Sequence, residues 1–201
     1  MENGLVVHFR DEADCWVIDP GLPPHAERMA DYIHRHALTA RAILLTHAHG
    51  DHIAGVDELR TWLGPIPLFL AREEWPFLTD PTLNLSADFG FGLTVSTDHL
   101  HDLVPGDVLP LDGSDWTVLD TSGHSPGGRS FYCPDAGVVV VGDALFAGSI
   151  GRTDFAYSDH ERLVENIRRN LLTLPDETRV VPGHGPRTTI GREKQSNAFL
   201  E

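Results

Sequence analysis

The sequence is poor in the residues that nucleic-acid and membrane binding need. Its 201 residues carry 15 Lys and Arg against 30 Asp and Glu, a formal net charge of −15. Phosphate backbones are held by clustered cations. No nucleic-acid partner is expected, and no anionic membrane surface; the acidity by itself reads as a solubility feature. No apolar run approaches the ~20 residues that span a bilayer. The opening Met-Glu-Asn-Gly-Leu-Val-Val-His-Phe-Arg has neither the basic start nor the apolar stretch of a secretory signal. A cytoplasmic protein is expected. Cysteine is scarce too. Cys15 and Cys133 stand far apart, in no metal-binding spacing, each in a strand-like segment. Free buried thiols are predicted, not a disulfide.

What the chain does have is turn chemistry, with 19 glycines and 14 prolines, and 41% hydrophobic residues. At this length a single domain over 1–201 with a substantial core is predicted. Strands at 5–9 and 15–18 read as a hairpin around an acidic turn. Asp19-Pro20-Gly21 ends the second of them. Ala26, Met29, Ala30 and Ile33 recur at helical spacing within 25–36. A strand over 42–46 leads to a histidine-rich loop, then a short helix over 52–59. A strand over 66–70 and a helical turn over 73–78, interrupted by Pro76, come next. Residues 79–97 show no regular pattern. A loop that long is usually functional or mobile. Phe89 and Phe91, set between glycines, either line a substrate mouth or pack their own surface excursion. The second half predicts strands over 100–104, 108–111, 116–119, 130–133, 137–141 and 179–181. An amphipathic helix over 159–174 presents Leu163, Ile167, Leu171 and Leu174 on one face, and a tail helix starts at Gly191. Both halves read as β-rich layers with helices outside, an α+β class.

The chemistry concentrates in Leu44-Leu45-Thr46-His47-Ala48-His49-Gly50-Asp51-His52. Imidazoles with a carboxylate are the donors a borderline-soft cation such as zinc takes. An extended exit from the strand keeps His47 and His49 on one side. A helix beginning near Asp51 turns His52 another way, so two ligand sets face two adjacent points. His124, Asp143 and His184 share one further context: each follows an apolar strand, on a glycine-containing loop. Rigid strands that deliver ligands from their ends make a preorganised site. His8, His25, His34, His36, His99, His101 and His160 lack that context and are not expected to ligate. A competing pattern is Gly123-His124-Ser125-Pro126-Gly127, which fits a nucleophile elbow, with Asp143 and His184 following in hydrolase order. The elbow needs a helix after the turn. Here Ser130-Phe131-Tyr132 reads as a strand, and the first histidine cluster goes unexplained.

Taken together, these motifs resemble the metallo-β-lactamase superfamily across essentially the whole chain. The segment from Gly142-Asp143 to Arg152-Thr153-Asp154-Phe155 is similar to the glyoxalase II group. So are Pro182-Gly183-His184-Gly185-Pro186, Thr188-Thr189 and Gly191-Arg192-Glu193, with the small single-domain bacterial type as the best match. The resemblance implies a four-layer αβ/βα sandwich with a metal site at one edge of its two sheets. It implies two divalent metal ions, zinc first, with iron or manganese compatible with the same donors. His47, His49 and His124 then hold one ion, Asp51, His52 and His184 the other, and Asp143 bridges both. Asp51 also serves as the catalytic residue that orients the attacking hydroxide. Asp19 either supports a ligand from behind or caps its turn. Arg152 either contacts substrate or pairs with Asp154. The implied reaction is hydrolysis of a small-molecule thioester such as S-lactoylglutathione, to D-lactate and glutathione, by a monomer or small homo-oligomer. Larger members of the group carry a C-terminal helical domain that helps bind glutathione; none is expected here, which opens the question of thioester specificity. A persulfide dioxygenase with one iron, another hydrolase of the superfamily such as a lactonase, and a non-catalytic metal-binding module are the alternatives. The complete ligand set speaks against the last.

Overall fold

Two sheets end in the loops that carry the expected ligands, as a computed structural model of residues 2–200 shows. The chain divides into two units, residues 2–103 and 104–200.

The first unit is built on a five-stranded sheet in sequence order: β1 (Leu5–Val7), β2 (Asp14–Ile18), β3 (Thr39–Leu44), β4 (Leu68–Leu70) and β5 (Leu100–Asp102). β1 and β2 form the predicted antiparallel hairpin; β2, β3, β4 and β5 pair in parallel. Parallel strands are covered on both faces and therefore read as unbroken apolar runs. Ala42 to Leu45 is such a run and is wholly buried. Helix α1 (His25–Arg35) buries Ala26, Met29, Ala30 and Ile33, the stripe its spacing predicts. The strand expected over 42–46 starts earlier and stops at Leu44, so Leu45 and Thr46 already belong to the exit. The single helix expected over 52–59 is two, α2 (Gly50–Ile53) and α3 (Val56–Leu63). The break falls at Gly55, where a Cβ would stand 2.8 Å from Ala26 Cβ and 2.9 Å from the Pro20 carbonyl. Backbone approaches too closely there for any other residue. The turn around Pro76 is a 3-10 segment (Arg72–Leu78), and residues 79–97 hold one more (Ser86–Phe89).

The second unit is a six-stranded sheet. β6 (Val108–Leu111), β7 (Ser114–Asp120), β8 (Arg129–Cys133) and β9 (Val138–Gly142) form an antiparallel meander. A two-residue hairpin of β10 (Leu145–Phe146) and β11 (Ser149–Ile150) follows, too short for alternation to betray it. Helix α4 (His160–Asn166) starts at an Asp159 cap, whose carboxylate accepts from Arg162 N, and runs into a π turn (Ile167–Leu171). β12 (Arg179–Pro182) returns parallel to β9, β13 (Thr188–Thr189) closes the sheet, and α5 (Ile190–Ser196) ends the unit. Leu163, Ile167 and Leu171 sit in a core with Val139, Val141 and Val180. Cys15 and Cys133 are free and buried, as predicted. No helix among the described residues is long and apolar enough to cross a membrane.

Candidate metal centre

Each unit presents its own set of donors just past the carboxyl ends of strands, the side on which open α/β sheets place their sites.

In the first unit the set hangs from Asp19, which follows β2. Its Oδ1 accepts from Thr46 N at 2.8 Å, and its Oδ2 accepts from Thr46 Oγ1 at 2.6 Å and from His52 Nδ1 at 2.9 Å. These contacts fix the tautomers of two histidines. A carboxylate only accepts, so His52 carries its proton on Nδ1 and keeps the lone pair on Nε2. Thr46 has given its one hydroxyl proton to Asp19. Its oxygen, 3.1 Å from His47 Nδ1, can only accept there, which leaves the His47 lone pair on Nε2. That lone pair faces His49 Nδ1 at 3.0 Å. Two nitrogens held about 2.1 Å from a tetrahedral zinc stand roughly 3.4 Å apart, so a cation fits the pair with a small adjustment. The three rings pack against one another, His47 lying 4.5 Å from His49 and 4.1 Å from His52 between centroids. All three are buried. Asp51 Oδ2 lies 4.0 Å from His52 Nε2, with its side chain partly open to solvent. Asp19 thus braces Thr46 and His52 from behind, and its positive φ of 47° shows that the turn accommodates it at some backbone cost.

In the second unit, His124 leaves β7, Asp143 leaves β9 and His184 leaves β12. The latter two loops are joined where Gly183 N donates to the Gly142 carbonyl at 2.7 Å. His124 Nδ1 donates to the Arg152 carbonyl at 2.8 Å, which sets the lone pair on Nε2. Asp143 Oδ2 stands 3.7 Å from His124 Nε2 and 3.5 Å from His184 Nε2. Those gaps are long for hydrogen bonds and suited to a carboxylate shared between cations. Gly151 makes this possible: a Cβ there would collide with the Asp143 carbonyl and lie 3.1 Å from His124 Cβ. Both donor sets fit divalent metal ions: imidazoles, three of them with the lone pair set on Nε2 by a hydrogen bond at Nδ1, plus carboxylates, are what such ions take.

The remaining candidates lie around these sets. Arg152 is 63% exposed at its side chain and pairs with Asp154 through two contacts of 2.6 and 2.7 Å. Its guanidinium also lies 4.5 Å above the Phe155 ring, whose edge meets His124. The hydrogen bond from Arg152 holds the Asp154 carboxyl below its ordinary range and raises Arg152 in turn. Phe89 is 75% exposed and stacks loosely on the exposed Phe91, 6.4 Å between centroids. The loop beneath them is pinned by polar groups. Asn84 Nδ2 donates to the Phe77 and Leu93 carbonyls, and Gly50 N donates to the Asn84 carbonyl at 2.7 Å. Phenylalanine packing does not build this excursion.

Sequence reasoning missed several supports. Buried Glu74 accepts from Ala48 N within the histidine loop. Buried Glu193 accepts from Gly148 N, Thr188 Oγ1 and Asn197 Nδ2. Glu2 reaches the Asp19 and His52 pair, with one polar atom of each within 4.8 Å of the others. Glu74 lies in a stretch that reads only as a helical turn interrupted by Pro76, so nothing in the sequence flags it. The Gly191-Arg192-Glu193 run is the one signal that marks Glu193.

The family model described as "Metallo-beta-lactamase superfamily" matches residues 2–184. The chain is 43% identical over 188 residues to the probable metallo-hydrolase YqgX of Bacillus subtilis, covering 92% of this chain and 87% of that one. It is 36% identical over 197 residues to the hydroxyacylglutathione hydrolase GloC of Haemophilus influenzae, covering 94% and 89%. Among solved structures, BLEG-1 B3 metallo-beta-lactamase superposes with a TM-score of 0.90 at 41% identity, over 99% of this chain and 94% of that one. TTHA1623 in a di-iron-bound form gives a TM-score of 0.85 at 38% identity, over 99% and 95%.

Proposed function

The chain belongs to the metallo-β-lactamase superfamily, with its α+β fold, and on that footing we propose that it is a dinuclear metallohydrolase cleaving a thioester of the hydroxyacylglutathione type. The observation that carries this reading is the pair of donor sets, each holding an imidazole whose Nδ1 hydrogen bond sets its lone pair on Nε2. The GloC relative supports the substrate class. In the proposed centre His47, His49 and His124 would hold one ion and Asp51, His52 and His184 the other, with Asp143 as a further carboxylate ligand.

Two such ions, when bound, polarise the thioester carbonyl and lower the proton affinity of water. The chain's own groups do the rest. Asp51 and Asp143 offset half the charge of two divalent ions, which leaves the site attractive to a carbonyl oxygen and an anionic substrate. The partly open Asp51 carboxylate accepts a hydrogen bond from the attacking water and aligns it. Water oxygen bonds to the acyl carbon, the carbon–sulfur bond breaks, and the products are a hydroxy acid and a thiol. A thiolate, with a pKa of about 8.5, leaves without a strong general acid. The exposed Phe89 and Phe91 offer apolar area at the mouth, and the donor-rich Arg152 offers a carboxylate contact if Asp154 releases it.

The test is S-lactoylglutathione hydrolysis by purified protein with metal analysis, before and after chelation, and with His49→Ala. Chelation is expected to abolish turnover and zinc, iron or manganese to restore it. His49→Ala should lower kcat/KM by at least about a hundredfold, beyond what loss of a ligand's outer support costs. Turnover unchanged by both would falsify the metal mechanism. Turnover of a β-lactam with none of the thioester would defeat the substrate assignment.

A further inference from the structure

The approach to His124 is suspended from one stretch of chain, residues 158–170. The Asp120 carbonyl accepts from Asn170 Nδ2 at 2.8 Å. The Ser122 carbonyl accepts from Asn166 Nδ2 at 3.0 Å, and Ser122 Oγ lies 3.1 Å from the same amide nitrogen. The Gly123 carbonyl accepts from Asp159 N at 2.7 Å, and the His124 carbonyl from Ser158 Oγ at 2.7 Å. Gly123, at φ +135°, lies so close to the helix that a Cβ would stand about 2.4–2.5 Å from Leu163 N, Cα and Cβ. Four carbonyls of a five-residue exit are therefore held by donors from α4, its cap region and its π turn.

The π turn explains how one helix does this while also packing a core. Leu163, Ile167 and Leu171 form a row at four-residue spacing on the core side. Asn166 and Asn170 form a second row at the same spacing, on the His124 loop. On an α-helix of 3.6 residues per turn a four-residue row drifts by about 40° per step. A π turn takes more residues per turn and reverses that drift. The Leu172 N to Ile167 carbonyl bond of 2.9 Å, five residues apart, marks the wide turn that follows Asn166 and contains Asn170. Both rows stay aligned, one against Val139, Val141 and Val180, the other against the exit from β7.

We infer that Asn166 and Asn170 are positioning residues for the metal ligand His124, kept in register by the π turn of α4. The inference rests on the dinuclear reading given above. Neither asparagine touches the donors; each fixes a carbonyl of the backbone that carries His124, while the Arg152 carbonyl fixes its ring. Side chains that orient a ligand in this way tune metal affinity about 10- to 100-fold.

The experiment measures zinc stoichiometry and affinity by competition with a chromophoric chelator, together with the ligand-field spectrum of the cobalt-substituted protein. Wild type is compared with Asn166→Ala, Asn166→Asp and the Asn166→Ala/Asn170→Ala pair, at a temperature where thermal unfolding shows each to be folded. Leu172→Ala, partly buried against the core of the same π turn, is the control for lost stability alone. The asparagine variants should weaken one metal equivalent about tenfold and shift the cobalt bands. Asn166→Asp should do no better than Ala, because its carboxylate faces the Ser122 carbonyl with no proton to give. Leu172→Ala should lower the melting temperature and leave affinity and spectrum as in wild type. Asparagine variants that match wild type in both readouts overturn the inference, as does a Leu172→Ala variant that reproduces their loss. A wild-type chain that binds no metal defeats the proposed function itself, and this inference with it.

Discussion

The two donor sets are supported in different ways. In the first unit, one buried side chain reaches both Thr46 and His52, and through Thr46 it reaches His47. In the second unit the fixing groups are many and mixed, side-chain donors from Ser158, Asn166 and Asn170 beside backbone ones. The Arg152 carbonyl takes the His124 proton, Gly183 N clips the Asp143 and His184 loops together, and Gly151 supplies the room. The first arrangement concentrates control in Asp19. The second spreads it over many bonds. A contiguous cluster can be organised by one carboxylate because its ligands are neighbours in sequence. Ligands that arrive from three strand ends cannot.

The largest expected effect breaks this contrast at its strong point. Asp19→Asn keeps the shape but replaces one acceptor oxygen by an NH2 group. It cannot accept from both the Thr46 hydroxyl and His52 Nδ1 while also accepting from Thr46 N. The tautomers of His47 and His52 are then no longer imposed. Zinc affinity should fall about 10- to 100-fold, with both equivalents affected, in chelator-competition titrations. Loss of a single equivalent, or none, would show that the first set does not depend on this carboxylate.

A smaller effect is expected from Glu193→Gln in the second unit. Glu193 is buried and accepts three hydrogen bonds, one of them from Gly148 N in the turn between β10 and β11. The amide puts a donor against a donor, and one buried group loses its partner. That costs about 1–3 kcal/mol of unfolding free energy, read by urea denaturation. Because support here is distributed, zinc affinity should stay within about threefold of wild type, less than the loss expected for a direct ligand support. An affinity loss comparable to Asp19→Asn would erase the distinction between the two sets.

The same contrast decides what could be read from sequence. The contiguous set was legible because His47, His49, Asp51 and His52 share one loop after an apolar run that reads as a buried strand. The dispersed set was legible only jointly, as three residues each following a strand. Its supports were not. Asn166 and Asn170 look like polar positions on an amphipathic helix, and only the fold reveals what lies opposite them. The four-residue spacing of Leu163, Ile167 and Leu171 was visible, but the π turn that straightens it was not, because the same spacing fits an α-helix within its tolerance. The β10–β11 hairpin carries two residues per strand, too few for any periodicity. The break at Gly55 depends on Ala26 and Pro20, which are distant in sequence.

The smallest expected effect concerns Arg152, where sequence left two roles and the geometry shows a bidentate pair with Asp154 beside a ring contact. Both side chains are exposed, and exposed pairs contribute little to stability. Asp154→Asn should leave thermal unfolding at neutral pH unchanged. The pH dependence has a defined sign. The carboxyl of Asp154 is lowered from 3.8 by the Arg152 hydrogen bond, so whatever the pair contributes is complete above that value and fades as pH falls through the lower folded one. No change is expected between pH 5 and 8 from this source. The informative readout is kinetic. If the guanidinium serves an anionic thioester, releasing it with Asp154→Asn lowers KM for S-lactoylglutathione a few-fold, and Arg152→Ala raises it by more. If the pair only braces the segment whose carbonyl holds His124, both variants leave KM in place and weaken metal affinity together. The loop of Phe89 and Phe91 then carries substrate selection alone, and Phe89→Ala should raise KM where Arg152→Ala does not.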